Sequence, residues 1–212
     1  TFSSATFSIP TGTLVLIRFS SLTIFPDSYY NSIPRGQTRR LVDYTNAHGT
    51  KCYAMVRIST ADSEPSFSAA YLRNRMTSPV SSMAMQFREC SLGQTDWTLT
   101  NVYDIALPND LVFYDKNPAR MRGAVVDLIQ SDYQVRNFRS DIADHVLFCM
   151  PPGTGQWIAN AATGHWRSQY NDRWCLSLSA LVHELGHNQG LNHAGESGGA
   201  YGDWTSYMGS VV

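Results

Sequence analysis

Apolar residues along the chain fall into segments that favour β-strands. Residues 14–17 (LVLI) form a continuous apolar run flanked by Thr and Arg, which is typical of an internal strand covered on both faces of a sheet. Residues 52–59 (CYAMVRIS) and 96–103 (DWTLTNVY) are rich in aromatic and β-branched types and partly alternate, so both are predicted strands. Residues 146–150 form a further apolar run and are predicted as a fourth strand.

Two segments in the first two thirds of the chain favour helices. Residues 79–88 carry a mixed set of apolar positions and are predicted as helical. A second helix is predicted to begin at Asn117, because Pro118 fits the first helical position and apolar residues recur at helical spacing behind it. Those apolar residues are Met121, Val125, Leu128 and Ile129.

A third helix is predicted to begin near Ser177 or Ser179, either of which can cap it, and to run to about Gln189. One face of this helix is an apolar stripe, and two histidines project from nearly the opposite face. The stripe consists of Leu178, Leu181, Val182 and Leu185, and the histidines are His183 and His187. We therefore expect one side of the helix to close the core of the sheet and the other to form the floor of a cleft.

Between residues 151 and 172 the chain is rich in Gly, Asn and Trp, with short predicted strands at 156–161 and 166–170. Extended peptides commonly bind by adding themselves to the edge of a sheet. An edge strand in this region is therefore a candidate for holding a substrate backbone. A plain surface hairpin is an equal alternative.

The 212 residues, 43% of them hydrophobic, are enough to bury one sizeable core. We expect a single domain over 1–212, with an upper lobe over 1–190 and the start of a lower lobe over 191–212. Glycine is frequent after residue 193, which excludes regular structure over most of that segment and predicts an irregular lower lobe.

The charge balance is nearly neutral, with 16 basic and 17 acidic residues, so we expect no nucleic-acid partner and no anionic membrane surface. No apolar run approaches the roughly 18 to 20 residues that span a bilayer. A protein or peptide partner recognised by shape and hydrogen bonding fits this surface, and we expect a monomer.

The four cysteines form an even set without the CxxC spacing of a structural zinc or redox site. Two disulfides are the simplest interpretation, and reduced buried thiols are the alternative. Of three possible connectivities, we favour Cys149 with Cys175, which brackets the predicted hairpin, and that leaves Cys52 with Cys90. Disulfides indicate an oxidising compartment and hence secretion. The start TFSSATFSIP is unlike a signal peptide, so we expect a mature form from which a signal and a pro-segment have been removed.

The string HELGHNQGLNH carries the main chemical signal of the sequence. On a helix, His183 and His187 lie on one face and can both bind one zinc ion. Gly190 is free to take positive φ, which ends the helix and lets His193 complete the ligand set. The fourth position is left for water, and Glu184 is the nearby carboxylate that can take its proton. An accidental HExxH string without metal is the alternative.

The same string, followed some fifteen residues later by Met208 in SYMGS, resembles the signature of the metzincin clan of zinc peptidases. Within the clan, the sequence of the chain resembles the gametolysin (autolysin) family of secreted peptidases, known from cell-wall-degrading enzymes of green algae. The matching blocks are ECSLGQ at 89–94, HVLFCMPPGTG at 145–155, HELGHNQGLNHAGE and YGDWTSYMG.

This resemblance implies an α+β, metzincin-like zincin fold, in which a twisted mixed β-sheet and an active-site helix stand above a small irregular C-terminal lobe. It also implies that His183, His187 and His193 bind Zn²⁺ and that Glu184 is the general base and acid. Met208 is expected to form the Met-turn, an apolar floor beneath the histidines and not a ligand.

Several positions depart from the clan or leave a role open. Some metzincins carry a tyrosine two residues after the Met, but Ser210 stands there, so Tyr207 or Tyr201 is the alternative donor to a developing oxyanion. Asp203 is either a loop residue or a carboxylate that orients a zinc histidine through its other ring nitrogen. The chain stops four residues after Met208, so either it is trimmed or the wall of the pocket is built otherwise.

The expected function is therefore that of a secreted zinc endopeptidase acting on extracellular proteins of a cell wall or matrix. One rival is a noncatalytic protein that keeps zinc for structure. A second rival keeps fold and metal but hydrolyses a nonpeptide amide. The remaining histidines, His48, His145 and His165, are interpreted as surface or core residues without a metal role.

Overall fold

The computed structural model describes the backbone of residues 15–18 and 21–24, and residues 49–195 and 199–209 in full. The backbone divides into two compact units, Thr1–Leu41 and Val42–Val212. The single domain expected over 1–212 stays a prediction. Every predicted metal ligand and Glu184 lie in the second unit.

In the first unit, strand β1 (Val15–Arg18) pairs antiparallel with strand β2 (Ser21–Ile24), with Val15 opposite Ile24. The sequence predicts an internal strand over 14–17, but among the described residues β1 belongs to a two-stranded sheet, so the predicted setting is wrong for this part of the chain. The connection between the strands is only two residues long, which returns the chain directly onto β1 as a hairpin. Residue 14 lies outside the described residues.

The second unit is built on a five-stranded mixed sheet. In chain order its strands are β3 (Gly49–Ser59), β4 (Thr95–Ala106), β5 (His145–Met150), β6 (Ala159–Ala161) and β7 (Arg167–Asn171). The spatial order is β4-β3-β5-β7-β6, and β6 alone runs antiparallel to its neighbour. The mixed α and β architecture predicted from the sequence is confirmed at this level.

The predicted strands of the second unit are confirmed, with changed ends. The strand predicted over 52–59 begins three residues earlier, at Gly49, and the strand predicted over 96–103 extends in both directions. The strand predicted over 156–161 shortens to the three residues of β6, because residues 151–158 turn instead of pairing. Within the described part of the chain, β6 is an edge strand, as the interpretation of this region as a holder of the substrate backbone requires.

Five α-helices and one 3₁₀ helix surround the sheet in the described ranges. They are α1 (Ala69–Met76), α2 (Met83–Cys90), α3 (Pro118–Asp132), α4 (Phe138–Asp141), a 3₁₀ helix (Asp172–Leu176) and α5 (Leu178–Asn188). Asn117 caps α3 as predicted, its side chain accepting from two first-turn N–H groups. Of the two cap candidates for α5, Ser177 is the one used.

The sheet is covered on both faces, because alternate residues of β3 enter two different apolar clusters. Ala54 and Val56 pack with Val125 and Ile129 of α3. On the opposite face, Tyr53 and Met55 of β3 pack with side chains from α1, α2 and α5. The residues that these helices contribute to this second cluster include Leu72, Met83 and Leu181. Helix α5 is thereby pressed against the sheet by its apolar side.

Cys149 and Cys175 form the disulfide that the sequence favoured, with their Cα atoms 5.7 Å apart. The second pairing is wrong, since Cys52 and Cys90 are free thiols. Cys52 packs against the cluster on the α3 face and its Sγ donates to Asp144 Oδ2 at 3.3 Å. Cys90 ends α2, which packs against the other face, so the sheet separates the two thiols.

Among the helices of the described ranges, none combines the length and the apolar character that a membrane crossing requires.

Candidate metal centre

The end of α5 turns as the predicted glycine requires. Gly190 has φ +93°, a conformation that favours glycine. Its N–H donates to the His187 carbonyl at 2.8 Å, and the Leu191 N–H donates to the Gly186 carbonyl at 2.9 Å. These bonds close the helix and send the following residues back toward the histidines.

The three predicted ligands come together. One ring nitrogen from each of His183, His187 and His193 lies within 4.8 Å of the others. The Nε2 atoms of His187 and His193 are 3.0 Å apart. Two tetrahedral nitrogen ligands of zinc are about 3.4 Å apart at the usual bond lengths. The imidazoles therefore converge on a space of the size that one divalent ion needs.

Main-chain carbonyls determine which ring nitrogen of His183 and which ring nitrogen of His187 is free to bind a metal. The Nδ1 of His183 lies 2.6 Å from the Tyr207 carbonyl oxygen, and the Nδ1 of His187 lies 2.9 Å from the Leu191 carbonyl oxygen. A carbonyl can only accept, so each Nδ1 carries the proton and each Nε2 keeps its lone pair in the neutral ring. Both lone pairs are thus available to a metal.

The carboxylate of Asp203 does not orient these two rings. Its Oδ1 accepts from the Thr205 N–H at 3.0 Å and from the Thr205 hydroxyl at 2.6 Å, which is a local turn. The orienting role that the sequence allowed for Asp203 is filled at His183 and His187 by carbonyls. These contacts fit the loop interpretation of Asp203, and an orienting role toward the His193 ring stays a prediction.

Burial favours the neutral form of His183 and His193. It lowers the pKa of His183, helped by the two neighbouring imidazoles against the opposing effect of the Tyr207 carbonyl. Burial also lowers the pKa of His193, with a further decrease from His187. Because only the neutral imidazole binds a metal, the lowered pKa keeps His183 and His193 in the binding form at neutral pH.

The loop that carries the third histidine is tied to the segment around Met208. The Ala194 N–H donates to the Met208 carbonyl at 2.7 Å, and the Asp203 N–H donates to the Ala194 carbonyl at 3.1 Å. Gly209 allows this close approach, because a Cβ there would lie 1.8 Å from the Asp203 carbonyl oxygen. The backbone of this loop is therefore held by the turn that follows it.

Met208 is buried and packs directly against α5. A Cβ at Gly186 would lie 2.4 Å from the Met208 sulfur, so the thioether fills the place beside the helix where another residue would carry a side chain. Gly186 stands between the two helical histidines in the sequence. Met208 thus forms an apolar contact beneath the ligand-bearing turn.

Glu184 follows the first ligand and is 4% exposed. Burial raises its pKa to about 8, since a desolvated carboxylate favours the protonated form. Its Oε2 is enclosed and has no hydrogen-bond partner. A carboxyl group with a raised pKa, one residue after a predicted metal ligand, is suited to exchange protons near neutral pH.

The two tyrosines considered as oxyanion donors occupy different places. The Tyr201 ring is half exposed and its centroid lies 4.0 Å from that of the His193 ring. The Tyr207 ring packs against the apolar cluster that contains Leu181, and burial raises its pKa. Tyr201 remains a candidate donor, whereas Tyr207 contributes its carbonyl. Ser210 lies outside the described residues.

The hairpin of β6 and β7 is attached to the end of α5. The Gly164 N–H donates to the His187 carbonyl at 2.8 Å. The Asn188 side-chain amide donates to the carbonyls of Ala162 and Arg167 at 3.3 and 3.0 Å. The edge strand β6 is therefore placed beside the ligand-bearing helix.

Across the described residues, His183, His187 and His193 form the single cluster able to hold a metal. His145 is buried, and its Nε2 lies 3.0 Å from the Gln189 amide nitrogen. His165 packs on the Trp166 ring. Both fit the structural role that the sequence assigned to them, and His48 lies outside the described residues.

Sequence reasoning missed several features of this site. The orienting carbonyls belong to Leu191 and Tyr207, and no residue type reveals a carbonyl partner. Gly186 was not singled out, although a glycine inside a helical pattern often marks a close packing contact. Ser168 and Tyr170, which lie buried behind α5, were placed only within a predicted strand.

A mixed sheet with helices on both faces and a histidine triad at the end of one helix defines the class: an α/β protein with a site fit for a metal ion. The chain belongs to the gametolysin peptidase M11 family, whose model matches residues 55–211. A metal is expected in a family of this kind, and the histidine triad is where this chain can bind it. The resemblance recognised in the sequence is confirmed.

Among solved structures, the chain is similar to one titled "Structure of a chaperone-substrate complex", with 18% identity and a TM-score of 0.45. The match covers 70% of this chain and 25% of that chain, so this chain spans about a quarter of its length. At this level of similarity, nothing about the function of one follows for the other. A search of curated proteins finds no match.

Proposed function

We propose that this protein is a secreted, zinc-dependent endopeptidase of the metzincin type. The observation that carries the proposal is the convergence of three imidazole nitrogens at the end of the helix that also carries the buried carboxyl of Glu184. The protonated Nδ1 atoms of His183 and His187 leave their Nε2 atoms to bind the ion. Met208, packed beneath the helical ligands, agrees with the Met-turn of that clan.

A bound zinc ion would polarise the scissile carbonyl and acidify the attacking water. Glu184 takes the proton of that water as general base and passes it to the leaving amine as general acid. Its buried setting favours this exchange, because a pKa raised to about 8 makes the carboxyl a proton carrier near neutral pH. Tyr201, next to His193, is the proposed donor to the developing oxyanion.

The substrate is proposed to bind extended along β6. Support comes from the position of β6 at the edge of the described sheet and from the bonds that attach its hairpin to α5. An added strand receives main-chain hydrogen bonds from such an edge. Its scissile bond would then lie next to the histidines.

Secretion and extracellular protein substrates are part of the same proposal. The disulfide between Cys149 and Cys175 fits an oxidising compartment. The free thiols of Cys52 and Cys90 neither add to this support nor oppose it. Cell-wall or matrix proteins are the proposed substrates by analogy with the secreted enzymes that the sequence resembles.

Replacing Glu184 tests the mechanism. Glu184→Gln is expected to keep zinc at one ion per chain and to lower kcat/KM by about 10² to 10⁴-fold, because the amide cannot accept the proton. Zinc content by mass spectrometry and peptide cleavage by chromatography measure the two quantities. The matched control is Glu89→Gln on the exposed end of α2, which should change neither.

Undiminished cleavage by Glu184→Gln would refute the role of this residue. Stoichiometric zinc in the wild-type protein without cleavage of any peptide in a diverse library would favour the noncatalytic rival. Release of ammonia or a small amine from a nonpeptide amide would favour the second rival.

A further inference from the structure

Two polar side chains of β7 lie behind the helix that carries Glu184. Ser168 and Tyr170 are two residues apart, so their side chains project from the same face of the strand. Tyr170 packs in the apolar cluster with Leu181 and Leu185 of α5. Ser168 is 1% exposed and Tyr170 is fully buried, so both hydroxyl groups have been removed from bulk water.

Three oxygen atoms in this region are enclosed and have no hydrogen-bond partner. They are the Tyr170 hydroxyl, the Ser168 Oγ and the Glu184 Oε2. Buried polar atoms in native proteins are almost always paired, either with protein or with internal water. Two hydroxyl groups supply the donors that a carboxylate oxygen lacks, so the three atoms are chemically complementary.

The electrostatics of Tyr170 connect the three groups. Burial is the largest cause that raises its pKa well above the ordinary value; the Ser168 hydroxyl lowers it and the Glu184 carboxylate raises it further. The hydroxyl therefore stays protonated and available as a donor. Both Ser168 and Glu184 are close enough to act on it.

We propose that Ser168 and Tyr170 are positioning residues for Glu184, forming with internal water a buried hydrogen-bond network that holds Oε2. With one oxygen anchored, the other is directed toward the histidine cluster. The proposal rests on the proposed function for its catalytic consequence, but the network itself is a property of the folded chain. Since β7 is a strand paired on both sides, the anchor is more rigid than a loop would be.

A double-mutant cycle on the metal-free protein tests the network. Tyr170→Phe removes only the hydroxyl, so it should lower the urea midpoint of unfolding in the wild-type background. In the Glu184→Ala background the partner is gone, and the same change should leave the midpoint unchanged or raise it. Ser168→Ala should show the same dependence on Glu184, which keeps the test valid if one variant fails to fold.

Tyr53→Phe is the matched control. Tyr53 is buried in the same apolar cluster, and its hydroxyl donates to the Met76 carbonyl at 3.3 Å instead of interacting with Glu184. Its replacement should lower the midpoint equally in both backgrounds. A Tyr170→Phe effect that is also equal in both backgrounds, or a midpoint raised in the wild-type background, would overturn the proposed network.

Steady-state kinetics of the zinc-loaded enzyme test the positioning role. Tyr170→Phe should lower kcat by about 10-fold with KM within about twofold, and Tyr53→Phe should leave both unchanged. An unchanged kcat in Tyr170→Phe would refute the role even if the network exists. Should the wild-type protein cleave no peptide, the proposed function fails, while the cycle on metal-free protein still decides the network.

Discussion

The imidazole of His183 is oriented by the main chain of the turn that follows the third ligand. Its Nδ1 bonds to the Tyr207 carbonyl, and the Nδ1 of His187 bonds to the Leu191 carbonyl. A carbonyl partner leaves no choice of tautomer. The ligand geometry at each ring therefore depends on the backbone of residues that contribute nothing to the ligand set themselves.

Gly209→Ala tests this dependence. The new Cβ would lie 1.8 Å from the Asp203 carbonyl oxygen, so the turn must move and we expect a loss of about 1–3 kcal/mol in the free energy of unfolding together with weaker zinc binding. Urea denaturation and a zinc competition titration measure both. Gly123→Ala is the control: it lies in α3 with open space around it, and it should stabilise by about 0.5–1 kcal/mol.

His145 predicts a loss of stability in acid. Burial lowers its pKa from 6.5 to about 4, so between these values the unfolded chain binds the proton and the native chain does not. The stabilising effect of the neutral ring is complete above pH 6.5 and is lost as the pH falls toward 4. Between pH 7.5 and pH 5 we expect a loss of about 2 kcal/mol from this residue.

Comparison with His145→Asn isolates that contribution. Denaturation in the presence of a chelator should show that the free energy of unfolding decreases less steeply with falling pH in the variant. The contributions of the other histidines are the same in both proteins and cancel in the comparison. Parallel curves for wild type and variant would show that the buried ring does not carry the effect.

At the scale of elements, the disulfide joins β5 to the 3₁₀ helix directly before α5. Its cysteines are 26 residues apart, and closing a loop of this length restricts the unfolded chain enough to stabilise by about 3 to 4 kcal/mol. Cys149→Ala with Cys175→Ala should lower the unfolding free energy by about that amount. Cys90→Ser, at an exposed free thiol, should have no effect, and equal losses in both variants would contradict this account.

The elements that the sequence predicted are those with local signals. Helix α3 combines a capping side chain, a proline at its start and apolar residues at helical spacing, so each signal supports the others. Helix α1 buries only Leu72 and Met76, too few apolar positions to show a period. The run at 14–17 predicted a strand, but an apolar run does not determine which sheet a strand joins.

The candidate site likewise combines features that the sequence predicts with features that it does not. The identity of the ligands follows from the spacing of the three histidines, which can be read directly in the sequence. The partners that orient the ligands are carbonyls and strand residues brought together by long-range packing. Ser168 and Tyr170 show the alternation of a strand, but their proximity to Glu184 depends on how α5 packs over β7. The pairing of Cys52 with Cys90 was wrong because counting cysteines does not show which face of a sheet each occupies.

At the scale of the whole molecule, the β6–β7 hairpin of the sheet, helix α5 and the turn around Met208 meet at one place. Helix α5 packs on one face of the sheet through its apolar side, the β6–β7 hairpin bonds to the end of that helix, and the turn around Met208 packs beneath it. A metal ion bound there would join α5 to the loop after it, through His183 and His187 on the helix and His193 on the loop. Because an ion that binds only the native state stabilises it, zinc should raise the resistance of the protein to unfolding.

Cleavage of a diverse peptide library before and after chelation is the most direct test of the proposed peptidase. We expect cleavage by the untreated protein, its loss when a chelator removes the metal, and its return when one equivalent of zinc is added. Cleavage that persists in metal-free protein would contradict the account, as would a protein with stoichiometric zinc that cleaves no peptide.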